Sequence, residues 1–340
     1  MLRRCWYIGI LLVAACGTGG APIAVPKGAG SATPASTVAT ATVRPTAADV
    51  CNGLPYRCAQ LVELGFTYPF ARLPDSYLFV DGATYPYVTI TNDLLGDSVV
   101  AQPDGTTTTV RDLLSALGIA GSFDRALRPV IGYGSNPAPA QLSRKFVHEK
   151  FAGHAVIPTL KGVLTGYDVV WSPHFVSYGA IPATLVRSPG TRVEVWVNWL
   201  NEAAIEQMNG TEGAGTLYAY GRLDGIELEL PGPKATPLTV YIDCYGALVI
   251  DGRLQAVSSV PARGRTANSI DEASVMHALM SRLKWTDSAF DLLLANVTST
   301  AGRAQRTEAI APLGQYVPDR NFTPEVECSG NPAARTSNVF

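Results

Sequence analysis

Apolar and polar residues alternate most regularly in Arg192-Val-Glu-Val-Trp-Val-Asn-Trp-Leu200, the period of a strand with one buried face. Val156 to Trp171 alternates over a longer run and is interrupted at Gly162 or Gly166; it reads as one long bent strand or as a hairpin. Tyr77–Val80, the pair Asp81-Gly82 and Tyr85–Ile90 predict a hairpin with a type I′-like turn. A second turn falls at Asp104-Gly105. Ser177–Leu185 is an apolar, turn-punctuated strand region, and shorter strands are predicted at Thr216–Arg222, Ile226–Leu230, Leu238–Tyr245 and Leu248–Ile250. Helical spacing marks Val110–Leu117, closed by Gly118, and Glu202–Asn209, opened by Asn201 and closed by Gly210. A capping box, Ser269-Ile-Asp-Glu272, opens a helix that runs to about Trp285, and another covers about Ala289 to Val297.

This order is not the strand–helix alternation of a doubly wound sheet. It predicts an α+β fold: a small, twisted, barrel-like mixed sheet with helices packed on it. The sheet domain is expected over 128–320, a small α+β module over 49–127 and a loop-like tail over 321–340.

The sheet domain opens on Arg128-Pro-Val-Ile-Gly-Tyr-Gly-Ser-Asn136. Val130 and Ile131 suit a buried strand. Gly132 and Gly134 flank Tyr133, so the chain can bend sharply and let a ligand approach its backbone. Asn136 is a plausible helix N-cap, and Pro137 or Pro139 fits a first helical turn. Such a turn aims free N–H groups at whatever lies above it, a carboxylate or a developing oxyanion. The same residues fit a tight connection with no ligand. The stretch is neither a dinucleotide fingerprint nor a P-loop, and Pro137 excludes Gly-x-Ser-x-Gly.

Residues 1–16 read as an export signal: Arg3 and Arg4, a short apolar core, then Val13-Ala14-Ala15-Cys16. Small residues before a cysteine resemble the bacterial lipobox, which would make Cys16 a lipid anchor; the alternative is a plain secretory signal. Both place the mature chain outside the cytoplasm. Residues 17–48 are, apart from Ile23, Gly, Ala, Pro, Ser, Thr and Val with two charges, Lys27 and Arg44, and read as a flexible leash with a reach of roughly 30 Å. Cys51, Cys58, Cys244 and Cys328 remain after the signal, with three possible pairings. A local Cys51–Cys58 staple and a Cys244–Cys328 clasp are favoured over free thiols. The four histidines, His148, His154, His174 and His277, lack ligand spacing, so no metal is expected. The formal net charge of −2 argues against nucleic acid as a partner.

Tyr133-Gly-Ser-Asn136, then Gly179-Ala-Ile-Pro182, then Gly190-Thr-Arg-Val-Glu-Val-Trp-Val197, then a short helix before Glu212-Gly213, with Tyr218 and Tyr220 beyond, form an ordered series. Order and spacing over about residues 128–245 resemble the γ-glutamylcyclotransferase-like family. The resemblance implies an enzyme without a cofactor that cyclises a γ-glutamyl group, or a related acyl amine, to 5-oxoproline and releases an amine. It puts Glu212 at the family's acid/base. Tyr133, Gly134, Ser135 and Asn136 would cradle the glutamyl moiety, with Tyr218 and Tyr220 as further substrate contacts. Two departures are Pro137, where the family usually has Leu, and export with an added amino-terminal module. Judged by its residues alone, Glu212 is a solvated glutamate just past a helix end, His174 a structural histidine, and the Glu202/Glu206 pair a solvated helix face. The expected partner is a small γ-glutamyl or amino-acid-like molecule, with the membrane met only through the lipid. The alternatives are a surface lipoprotein that binds a small ligand in the same cleft without turnover, and a purely structural one.

Overall fold

The computed structural model describes residue 65 and residues 67–121, 126–148 and 151–329. The chain divides into two compact units, Met1–Arg44 and Pro45–Phe340, and every described residue belongs to the second. The export signal with Cys16, the leash and the proposed Cys51–Cys58 pair lie outside the described residues. No described helix is long and apolar enough to cross a membrane.

The amino-terminal hairpin forms as its pattern suggests. Strand β1 (Tyr77–Val80) pairs with β2 (Ala83–Thr89), and both turn residues, Asp81 and Gly82, have positive φ. Strands β3 (Val99–Ala101) and β4 (Thr107–Thr109) follow, then helix α1 (Val110–Ala116). Thr109 caps α1 by accepting from the Asp112 amide. The segment does not stand apart as a module, because β1 also pairs antiparallel with β6 (Val156–Trp171).

Strand β5 (Arg128–Gly132), helix α2 (Pro139–Ser143) and a π-helical turn (Arg144–His148) precede β6. Strand β7 (Ala183–Leu200) is the inner neighbour of both β5 and β6. β6 is one bent strand: its register against β7 shifts between Thr165 and Tyr167, around Gly166 at φ 82°. β7 takes in both the expected 192–200 strand and the end of the Ser177–Leu185 region; residues 177–182 form a turn instead. Helix α3 (Glu202–Glu212) is followed by β8 (Tyr218–Leu223), β9 (Glu227–Glu229), β10 (Thr239–Asp243), β11 (Ala247–Ile250), β12 (Arg253–Val257), β13 (Ala262–Arg263) and β14 (Asn268–Ile270). Ser269 therefore belongs to a strand. Asp271, accepting from the Ser274 amide, caps α4 (Glu272–Leu283) in its place. Helix α5 (Ala289–Thr298) matches its pattern, and α6 (Thr300–Ile310) was not foreseen. After β15 (Gly314–Gln315), the tail expected to be loop-like forms β16 (Phe322–Val326), paired with β8.

The sheet runs β16-β8-β10-β5-β7-β6-β1-β2-β3-β4 and is mostly antiparallel, with β10 and β5 parallel. It has two free ends, so it is an open mixed sheet and not the closed barrel expected. Closure would need the outer edge of β16 to pair with β4, and no such pairing forms among the described residues. The disulfide Cys244–Cys328, with Cα atoms 5.8 Å apart, fixes that edge. One apolar cluster lies under the β6–β7 bend and is covered by Val275, Leu279, Leu292 and Ile310 of the last helices. A second joins Val130 and Ile157 to Leu142, Phe146, Ile205 and Met208. Each fully buried aliphatic side chain there contributes roughly 1.5–3 kcal/mol, and together they lock α2, the π-turn and α3 onto one face.

Candidate functional site

The turn after β5 is held from behind. Arg72 donates from Nη2 to the carbonyls of Tyr133 and Gly134, at 2.8 Å each, and its guanidinium lies 5.1 Å from the Trp196 ring. Burial pulls this guanidinium down to about 10, so it remains charged at neutral pH. The Tyr77 hydroxyl donates to the Pro137 carbonyl at 2.6 Å. With its carbonyls engaged, the turn presents its other side: among the described residues, no backbone carbonyl accepts from the N–H of Gly134, Ser135 or Asn136. Asn136 does not cap a helix. α2 begins at Pro139 with Ala138 as N-cap, and the buried Asn136 Oδ1 has no partner.

Glu212 is placed by α3. Asn201 caps the helix through its side chain, and Gly213, at φ 65°, ends it. Helical pattern continues through Gly210, so Glu212 is the last helical residue and not a glutamate beyond the end. Ala204, Ile205 and Met208 form the buried stripe, and Glu212 lies one turn beyond Met208 on that face. It points inward for that reason and is 15 % exposed. Tyr241 donates to Asn209 Oδ1 at 2.7 Å, and Gln207 donates to the Lys145 carbonyl at 2.8 Å. Both bonds hold the carboxyl end of α3 against β10 and the π-turn. Lys145 Nζ donates to Glu212 Oε1, while Oε2 has no partner among the described residues.

Turn and carboxylate border one cavity of about 510 Å³, within the size range of small-molecule sites. Tyr133, Gly134, Ser135, Asn136, Glu212 and Tyr218 all line it. Tyr220 does not. It is buried in the second apolar cluster, and its hydroxyl bonds to Thr239 Oγ1 at 3.1 Å. The side chain of Tyr133 serves the fold, donating to the Tyr241 carbonyl at 2.6 Å, which leaves its backbone for the cavity. Burial pushes the phenols of Tyr68, Tyr133, Tyr178 and Tyr218 well up, so they line the site as neutral groups.

Residues without a sequence signal complete the wall. Tyr68 and Tyr178 stack with ring centroids 6.2 Å apart. Arg303 and Glu308 come from the unforeseen α6. His174 also lines the cavity, fully buried, stacked on Tyr245 at 4.9 Å and with Nδ1 3.2 Å from Asp243 Oδ2. That contact is close enough for an ion pair but not aligned as a hydrogen bond, and neither ring nitrogen has a partner. Only the spacing of His174 after Trp171 was visible in the sequence, and nothing there links it to Asp243. Among the described residues, no group of His, Cys, Asp and Glu could hold a metal ion.

Comparison of the chain with protein-family models, with curated proteins and with solved structures gives no match.

Proposed function

We propose that this chain is a cyclotransferase-like enzyme that acts outside the cytoplasm, anchored through Cys16. It cyclises a γ-glutamyl amide, or a related acyl amine, to 5-oxoproline with release of an amine. The observation that carries this reading is the shared cavity: an ionisable carboxylate and a turn of unpaired backbone N–H groups border the same space. The substrate's α-amine attacks its own γ-carbonyl and closes a five-membered ring. The new C–N bond gives a tetrahedral oxyanion, which the N–H groups of the turn stabilise. Glu212 takes the proton lost by the attacking amine and returns it to the leaving nitrogen as the old C–N bond breaks. Holding the folded conformer lowers the barrier by up to ~7–11 kcal/mol, and the proton transfers add roughly 10²–10⁴-fold. The unpaired Asn136 Oδ1 is a suitable acceptor for the α-amine.

The experiment is incubation of the purified chain with a panel of γ-glutamyl amides, read by mass spectrometry. Release of 5-oxoproline and amine in equal amounts supports the proposal. A folded chain that releases neither from any member refutes it.

The alternative, capture of a small ligand without turnover, is favoured by one observation: Glu212 Oε1 is paired with a buried ammonium. A carboxylate so held is a good anchor for a ligand cation and a less ready proton carrier. Saturable binding without product separates the two.

A further inference from the structure

Lys145 is fully buried. An ammonium taken out of water costs several kcal/mol unless it is paired, so its position demands a compensating partner. Nothing in the packing of the two apolar elements requires a charge there: Phe146 and Leu142 on one side and Ile205 and Met208 on the other already close the contact. The ammonium meets Glu212 Oε1 and, at 3.2 Å, the Met208 sulfur. Lys145 sits on the π-turn that follows the Tyr133–Asn136 bend and α2, while Glu212 ends α3. The pair therefore ties the segment bearing the bend to the helix bearing the carboxylate, on the side away from the cavity. Lys145 is not among the residues lining the cavity.

We propose that Lys145 is a positioning residue: its buried ammonium grips one oxygen of Glu212 and sets the other toward the substrate, facing the bend. This rests on the cyclotransferase reading. The charges acting on Lys145 are Glu212, which favours its charged form, and neighbouring Arg144, which opposes it. The tyrosines that feel Glu212, namely Tyr133, Tyr178, Tyr218 and Tyr241, are all pushed up by burial and stay neutral. Burial is the larger influence on Lys145 and holds it below the ordinary lysine value of 10.5. The grip is released as pH rises, when the ammonium loses its proton, and this happens below the pH at which an ordinary lysine would lose it.

The test has two arms on the full chain. In kinetics, Lys145→Met should lower kcat about 10²-fold with KM within a few-fold, since the residue touches no substrate. Lys145→Arg, which cannot lose its proton in this range, should recover activity and extend it to higher pH than the wild type. A Lys145→Met enzyme with wild-type kcat, or an Arg variant with the wild-type basic limb, overturns the proposal. The second arm needs no turnover: carbon NMR of the Lys145 ε-methylene, titrated in wild type and in Glu212→Gln. The midpoint should fall by about 1–3 pH units in the variant, and an unmoved midpoint refutes the pairing. Loss of turnover in every chain with the NMR shift intact would sink the enzymatic reading and leave the pairing standing.

Discussion

Gly134 offers a direct probe of how the amide turn is supported. Its φ is not positive, so alanine can adopt the backbone, and any penalty is steric. A Cβ built there lies 2.9 Å from Tyr68 Oη and 3.9 Å from Tyr68 Cζ. Only the hydroxyl is in the way. Neither side yields easily: the turn is held by Arg72, and Tyr68 is 8 % exposed, packed between Phe70, Trp171 and Tyr178. Tyr68 Oη also accepts from the Ala183 amide at 2.9 Å. Forcing an extra methyl into such a place costs about 1–3 kcal/mol. Tyr68→Phe alone leaves the Ala183 N–H buried and unpaired, at about 1–3 kcal/mol. The double variant has no hydroxyl to collide with, and its Cβ meets the ring at ordinary contact distance. It should cost about what Tyr68→Phe costs alone, so the coupling should roughly equal the whole penalty of Gly134→Ala. Urea unfolding of the four chains measures this. Additive penalties would contradict this and show that the crowding is not at Tyr68.

Two further outcomes concern the frame around the site. Opening the Cys244–Cys328 bond, which closes a separation of 84 residues, should cost about 4–5 kcal/mol by chain entropy; urea midpoints with and without reductant check it, and a change below about 1 kcal/mol would contradict it. Glu272 is buried with Oε1 accepting from the Ile181 amide at 3.0 Å and Oε2 unpaired, and burial raises its carboxyl well above the ordinary 4.5. The raised folded value makes its protonated form the stable one, so its contribution is complete below pH 4.5 and is lost as pH rises from there. Relative to the wild type, Glu272→Gln should gain stability as pH rises from 4.5 to 7, and a pH-independent difference would refute this.

Local chemistry made much of the fold legible. Asp81-Gly82 marks a turn that needs two positive φ values, and Asn201 opens α3 by capping alone. The misreadings arose where distant segments decide. β16 reads as loop because its alternation is poor, yet β8 offers an edge and Cys328 brings the tail to it. Ser269 fits a capping box, but β12 recruits it into a parallel pair and the cap passes to Asp271. Gly210 looked like a helix end, although Met208 and Glu212 continue the inward stripe past it. In the site, the bend and Glu212 were legible through an ordered series of short motifs. Lys145, His174 with Asp243, and the α6 wall were not, because a buried lysine inside Ser-Arg-Lys-Phe has no local pattern. Tyr220 failed for another reason: it shares a strand face and an apolar cluster with Tyr218, but two residues further along β8 it meets Thr239 and no longer borders the cavity.

Glu212 is proposed to carry the protons. This role is tested by measuring 5-oxoproline release from a γ-glutamyl amide by the purified wild-type chain and by Glu212→Gln, with far-ultraviolet circular dichroism confirming that both are folded. The wild type should release 5-oxoproline, with a loss of roughly 10²–10⁴-fold in the variant. A folded Glu212→Gln chain that releases 5-oxoproline at the wild-type rate would contradict that role.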